Sequence, residues 1–267
     1  MDFGSTAGLL DWSFKNKQHK YSIVIAPWSH FWASYYDFVL LVVAKLCRIE
    51  NALGSEVFNE AKICYPFIDK NNFERQFLKK FNINESSLIN TRNRNIRVST
   101  DCIILANNQK QMIYPSPHDI ALLRSKFYIS EPTHNKKRLY LSRSGRRQIK
   151  NELQVRDVVK KFDFEIVEDV ARSIDEQIRL FKSASVIVSP HGAGLTNLLW
   201  CDPGTEVIEC FGGGYVRPHY YYISKLLKLK YSYIVDNPDV EDHWQKRADN
   251  MMVDVVALEM QLKKIIC

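Results

Sequence analysis

Glycine and proline are scarce, at ten and nine of 267 residues, which excludes a collagen-like or low-complexity chain. No apolar run approaches the ~20 residues that cross a bilayer, and the longest, Phe38 to Ala44, reads as part of a buried helix. The first residues, MDFGSTAGLLDWSFKNK, lack the basic start and the apolar core of a secretory signal, so a soluble, cytoplasmic protein without a transmembrane segment is expected. The six cysteines (Cys47, Cys64, Cys102, Cys201, Cys210 and Cys267) show neither C-x-x-C nor zinc-ligand spacing. Most lie in apolar surroundings typical of buried free thiols, and no disulfide framework is expected. The glycosylation triplet at Asn84 then carries little weight, since it matters only in a secreted chain. Internal repeats, coiled-coil heptads and low-complexity tracts are also missing.

What is present is an ordinary globular composition, 46% apolar and 12% aromatic, with length enough for one large domain or two compact ones. The formal charge of +7 is modest, but Lys136, Lys137, Arg138, Arg143, Arg146, Arg147 and Lys150 fall close together. That concentration calls for an anionic partner. Nucleic acid, a phosphorylated metabolite and an acidic membrane surface all satisfy it, so charge alone does not choose among them.

From Arg138 onward, short β-rich runs alternate with helical periodicity. The strands read as Arg138–Ser142, Phe164–Val167, Val186–Ser189, Glu206–Cys210 and Tyr231–Val235, with helices near 149–161, 174–184, 195–201 and 217–229 between them. This alternation predicts a doubly wound parallel sheet. Ser173 and Glu176 form a capping box ahead of Ile174, Ile178 and Phe181, which fixes one helix start. The first half reads as strand Tyr21–Ala26, helix 29–48, strand Lys62–Tyr65, helix 71–80, strand Ile103–Ala106 and helix 118–127. Residues 129–137 are polar, carry a proline and read as a linker. The expected domains are therefore 1–130 and 131–250, with 251–267 a C-terminal amphipathic helix packed on one of them.

Two segments carry chemistry. The buried strand Val186–Ser189 runs through Pro190-His191-Gly192-Ala193-Gly194 into a helix, the construction of a phosphate-binding turn: small residues admit the ligand, and backbone N–H groups with the helix dipole attract it. Such turns also occur for purely structural reasons. The segment Leu141-Ser142-Arg143-Ser144-Gly145-Arg146-Arg147, continuing to Asn151 and Glu152, likewise leaves a strand end. In a doubly wound sheet the crevice lies beyond the carboxyl ends of the strands, so Arg143, Arg147 and His191 can converge on one anion, which arginine forks grip bidentately. A solvated basic face is the plain alternative.

Arg143 through Glu152, then Glu168 and Gln177, then Ser189-Pro190-His191-Gly192-Ala193-Gly194-Leu195-Thr196-Asn197, then Pro203-Gly204-Thr205 and Glu209, strongly resemble glycosyltransferase family 61 in order and spacing. The resemblance implies an α/β fold of the GT-B kind, a pair of Rossmann-like domains with parallel sheets facing a central cleft. It also implies a nucleotide-sugar donor, usually a UDP-sugar, and inverting transfer of a hexosyl, N-acetylhexosaminyl or pentosyl group to a hydroxyl of a glycan or glycoprotein. Donor contacts are then expected from Arg143, Arg147, Asn151, His191, Gly192, Ala193, Gly194, Asn197 and Glu209. Glu209 either accepts the ribose hydroxyls or caps a neighbouring element, and Asn197 either binds phosphate or only bonds the turn. No D-x-D triplet occurs, Asp163-Phe164-Glu165 coming nearest, so no metal is expected and the cations would neutralise the leaving diphosphate.

The resemblance fades before residue 130. Family members carry a His-aromatic pair at a helix start with an acid three or four positions on. Here His30-Phe31 is followed by Ala33 and Ser34, and the first carboxylate is Asp37. His30, Ser34 and Asp37 still share a helix face, so Asp37 is the leading general base and His30 its alternative. Structurally, Asp37 would instead pair with Lys45 or Arg48. Trp28, Trp32, Tyr35 and Tyr36 offer a sugar platform or core packing. Two rivals stand beside the transferase: a nucleic-acid-binding protein using the 136–150 cluster, without an RNP, zinc or helix-turn-helix pattern to support it, and an inactive nucleotide-binding subunit.

Overall fold

A computed structural model describes residues 17–29, 34–66, 72–92, 96–106, 113–129, 136–241 and 243–266. The chain divides into two compact units, Met1–Lys126 and Phe127–Cys267. No described helix is long and apolar enough to cross a membrane.

The first unit holds strands β1 (Lys17–Ile25), β2 (Lys62–Tyr65), β3 (Leu88–Asn90) and β4 (Ile96–Ile104), all parallel, in the order β3-β2-β1-β4. The expected strand at Ile103–Ala106 is only the tail of β4. Its earlier residues, IRVSTDCII, mix polar and β-branched side chains because β4 is an edge strand largely open to solvent. The predicted long helix is divided. Tyr35–Asp37 is one α turn, Phe38–Val43 is a π-helical stretch, and Ala44–Leu53 is α-helical up to the positive-φ Gly54. The Phe38–Val43 residues are all buried, and Phe38 packs on Tyr65, Phe73 and Phe77.

The second unit contains β5 (Lys137–Leu141), β6 (Phe164–Val167), β7 (Ala184–Pro190), β8 (Glu206–Gly212) and β9 (Lys230–Asp236), parallel throughout, in the order β6-β5-β7-β8-β9. Helices Glu152–Lys160, Ile174–Lys182 and His219–Leu227 connect them, the second opening on the predicted Ser173–Glu176 capping box. Between β7 and β8, residues Ala193–Trp200 form a 3-10 helix in place of the expected α-helix. The C-terminal helix, Val255–Ile266, buries Leu258 and Leu262 in a core with Val155, Val159, Val188 and Ile208.

The strand order places the site. Counted within the unit it reads 2-1-3-4-5, so the chain reverses direction between β5 and β7, and a doubly wound sheet binds its ligand beyond the strand ends at that switch point. The segments that leave β5 and β7 there are Ser142–Arg147 and His191–Gly194. In the first unit the reversal lies between β1 and β4, and the segment leaving β1 leads to Asp37.

Candidate active site

His191 follows β7 and is buried, its ring stacked on Phe211 at 5.0 Å between centroids and flanked by Tyr215 and Tyr220. Its Nδ1 lies 2.5 Å from Glu209 Oε1, and the Tyr231 hydroxyl donates to Glu209 Oε2 at 2.5 Å. Burial pushes the His191 pKa down, reinforced by Arg147 and Arg143, and pushes the Glu209 carboxyl up. Both groups are thus driven to their neutral forms. With Nδ1 held by Glu209, Nε2 is the ring nitrogen left for a ligand.

Arg143 reaches across this turn. A Cβ built on Gly192 would stand 1.7 Å from Arg143 Nη1, so the bare glycine is what lets the guanidinium lie on the turn. Gly192 has an extended φ of 175°, and its role is therefore close approach, not unusual backbone conformation. Arg143 Nε donates to the Arg146 carbonyl at 2.5 Å, and Asp169 accepts from the Ser144 N–H and hydroxyl at 2.9 and 2.8 Å, which pins the loop. Burial lowers the Arg143 pKa, with Asp169 partly offsetting it.

Arg147 adopts a left-handed φ of 61° and is held from the far end of the chain. Its N–H donates to the Ala248 carbonyl at 3.3 Å and its Nη1 to the Arg247 carbonyl at 3.1 Å. The pairing continues along a C-terminal strap: Met251 N to Gln148 O at 2.9 Å, Lys150 N to Met251 O at 2.8 Å, and a parallel bridge between Ile149 and Met251. The guanidinium lies over the Tyr215 ring, and its buried Nε has no hydrogen-bond partner among the described residues. Burial first, then Arg143, lowers its pKa, so an anion in this place would relieve both costs. A cleft of about 190 Å³ opens here, bordered by Arg147, His191 and the glycine run 212–214.

Several expected donor contacts serve the fold instead. Glu209 is fully buried with both oxygens engaged, so no ribose reaches it; it positions His191. Asn197 Nδ2 donates to Gln177 Oε1 at 2.8 Å and to the Gly194 carbonyl, while its Oδ1 accepts from Trp200 Nε1, bonds that hold the turn. Asn151 clamps Val253 from both sides, donating to its carbonyl at 2.8 Å and accepting from its N–H at 3.0 Å, which removes it from the donor set. Gly194 meets no crowding that would demand glycine, and Ala193 merely opens the 3-10 helix. Glu152 and Glu168 both bind Arg156, and Ser142 donates to Glu152 at 2.6 Å.

The basic cluster also separates. Lys136 pairs with Asp202, Lys137 with Glu165, and Arg138 donates to the Phe162 carbonyl, so these cations are spent internally and form no continuous stripe for nucleic acid. Arg146 and Lys150 are exposed. The glycines at 212–214 escaped sequence reasoning, although three glycines directly after a strand are a visible signal. They make room for the protein itself: a Cβ on Gly213 would meet the Asn237 and Asp236 carbonyls at 2.0 and 2.4 Å, and one on Gly214 the Lys246 side chain.

In the first unit, His30 and Trp32 lie outside the described residues. Ser34 caps the turn that holds Asp37: its Oγ accepts from Asp37 N–H at 3.2 Å and donates to Asp37 Oδ2 at 2.7 Å. It does not pair with Lys45 or Arg48, which bond the Trp28 carbonyl and Asp119. Burial raises the Asp37 pKa, more than Ser34 lowers it. Tyr36 is buried with its hydroxyl on the Ile113 carbonyl and Tyr35 packs on Phe73, so both are core residues, whereas Trp28 is exposed. The five described cysteines are free, with Cys102 exposed. Among the described residues no group of three or more His, Cys, Asp or Glu is placed to hold a metal ion.

Comparison with known proteins gives this geometry its context. The profile of the family described as Glycosyltransferase 61 matches residues 23–208, well over half of the chain. A β-1,2-xylosyltransferase of Oryza sativa subsp. japonica is 29% identical over 121 residues, 42% of this chain and 21% of the rice protein. A β-1,2-xylosyltransferase of Arabidopsis thaliana is 39% identical over 59 residues, 22% of this chain and 11% of the Arabidopsis protein. The alignments thus span about a fifth or less of those relatives.

Proposed function

The chain belongs to glycosyltransferase family 61, and from that premise we propose that it moves a sugar from a UDP-sugar to a hydroxyl of a glycan or glycoprotein, with inversion at the anomeric carbon. The observation that carries the donor half of this reading is the arrangement at the switch point: the Arg143 guanidinium on Gly192, beside neutral His191 and the partly unsatisfied Arg147. Arg147 and His191 line the cleft and Arg143 lies on the adjoining Gly192, and together they offer two guanidinium groups and a hydrogen-bond donor to a diphosphate. Pentose is the sugar we assign, because the two plant relatives are xylosyltransferases.

In the proposed reaction a base takes the proton of the acceptor hydroxyl, whose oxygen attacks the anomeric carbon while the bond to the diphosphate breaks. Arg143, Arg147 and the His191 Nε2–H stabilise the charge that develops on the departing oxygen, in place of a divalent metal. The base belongs to the first unit, with Asp37 leading and His30 the alternative, in a GT-B-like pairing of the two units. The raised pKa of Asp37 suits a group that must hold a proton during turnover.

Differential scanning fluorimetry with nucleotides tests the donor site. UDP at 100 times its Kd should stabilise the chain by ~2.7 kcal/mol. Stabilisation by GDP or CMP without UDP overturns the choice of base, and no response to any nucleotide overturns the donor site. Turnover lost on EDTA treatment and restored by Mn²⁺ overturns the metal-independent leaving-group chemistry.

A further inference from the structure

The cleft of about 190 Å³ has two sides of different origin: Arg147 and His191 lie within the family-matched span, whereas the opposite wall, drawn from residues 212–214, 236–240 and 246–250, lies beyond it. That wall stands where it does because the strap is stitched to the basic loop. Besides the bonds of Arg147, Gln148 N donates to Asn250 Oδ1 at 2.9 Å, and Asn151 clamps Val253. The glycines at 213 and 214 admit the end of β9 and the Lys246 stem. The wall is therefore a built part of the site.

Its chemistry differs from that of the diphosphate seat. Two carboxylates, Asp236 and Asp249, stand with the amides of Asn237 and Asn250, the Lys246 side chain and Val240 beside the glycine backbone of 212–214. Hydroxyl groups, which both donate and accept, match such a lining. The cleft of about 190 Å³ leaves room for a small polyhydroxylated ring. The two carboxylates are not equivalent. Asp236 is occupied, accepting from the Met252 N–H and from Asn237 Nδ2, both at 2.8 Å. Asp249 is exposed and accepts from no protein donor among the described residues, which leaves both of its oxygens for a ligand.

Resting on the donor reading above, we infer that this cleft is a subsite for a sugar ring adjoining the diphosphate, with Asp249 accepting hydrogen bonds from a vicinal diol. A carboxylate presents two acceptor oxygens to two neighbouring hydroxyls, and such a site discriminates against a ligand that lacks them. The ring is either the donor's ribose or the transferred sugar; the chemistry is the same.

Isothermal titration calorimetry on the full chain separates these sources, with inorganic pyrophosphate, UDP and UDP-xylose as probes of wild type and Asp249→Asn. Asp249 is exposed, so a melting curve should show the variant folded. Pyrophosphate affinity should stay the same or tighten slightly. A loss of about tenfold for UDP assigns the ring to ribose, and a similar loss for UDP-xylose with UDP unchanged assigns it to the transferred sugar. Unchanged affinities for UDP and UDP-xylose overturn the subsite, while Arg143→Ala still weakening pyrophosphate leaves the donor reading standing. Failure of wild type to bind any of the three probes overturns both.

Discussion

Gly192 is a residue whose side chain is missing for the sake of another. Its extended backbone suits any amino acid, so Gly192→Ala should leave the fold nearly as stable as before, yet the new methyl would occupy the place of Arg143 Nη1. The guanidinium, being the end of a flexible side chain, would swing away. UDP affinity measured by calorimetry should fall about tenfold or more, and Arg143→Ala should produce much the same loss. Because both changes remove one interaction, the double variant should be scarcely worse than either alone, and additive losses would show that the glycine acts by other means. Glu209 makes a different prediction at the same scale. Its carboxyl is held protonated in the fold up to about 8, against an ordinary 4.5, so the folded chain binds the extra proton through that interval. The stability this confers is present below the ordinary glutamate range and is lost as pH rises toward 8. His191 has the opposite sign: neutral in the fold, it costs stability as pH falls below its ordinary 6.5 toward about 3. The window from 6.5 to 8 therefore isolates Glu209, and Glu209→Gln, which cannot ionise, should flatten the decline in Tm there. An unchanged slope would mean that the carboxylate is already ionised in the folded state.

Among the elements, the strap near the C-terminus decides more than its length suggests. Asn151 bonds Val253 on both its N–H and its carbonyl and so joins the basic loop to the strap that holds Arg147. Asn151→Ala should cost about 1–3 kcal/mol in denaturant unfolding by leaving those groups unpaired, and should weaken UDP binding only through the loosened Arg147. A loss of UDP affinity with stability intact would restore Asn151 to direct ligand contact. Nothing in the sequence announced this role, since the two partners lie about a hundred positions apart and a parallel bridge of one residue leaves no periodic pattern. Legibility elsewhere follows the same physics. The central strands of the second unit were readable because β7 and β8 are short, Val- and Ile-bearing runs buried on both faces, as a parallel sheet with helices on each side requires. The flanking β5, β6 and β9 show the same apolar run with exposed positions toward their ends or faces. Edge strand β4 and the three-residue β3 were blurred or missed, being respectively solvated and too short to show alternation. Among the motif residues, spacing singled out Arg143, Arg147 and His191 together with Asn151, Asn197 and Glu209, and it could not show that the last three bond other parts of the protein.

At the scale of the whole molecule, the second unit carries the guanidinium groups and the histidine that we assign to the departing diphosphate. Of its carboxylates, Glu209 is engaged with His191 and Tyr231, Glu152 and Glu168 with Arg156, and Asp249, open in the cleft, is assigned to the sugar ring. Inverting transfer also requires a base on the face opposite the leaving group. Within the first unit, topology favours the segment proposed for the base, because Asp37 follows β1 at the point where strand order reverses between β1 and β4. Asp37 is also the carboxylate there that forms no pair with Lys45 or Arg48, while burial raises its pKa toward the range in which a base can both take and release a proton. Its one visible structural task, exchanging bonds with Ser34 at a helix start, is a task that asparagine also performs. Asp37→Asn should accordingly preserve the helix and the UDP-induced rise in Tm, yet lower kcat by about a hundredfold or more, as loss of a general base does. His30→Ala should behave alike if the imidazole takes the proton and Asp37 orients it. The two cases part in the pH profile: with Asp37 as base, the acidic limb of kcat should sit above the ordinary aspartate range and vanish in Asp37→Asn, whereas a limb near the histidine range that survives Asp37→Asn and disappears in His30→Ala assigns the proton to His30. Wild-type turnover in both variants would place the base on another residue.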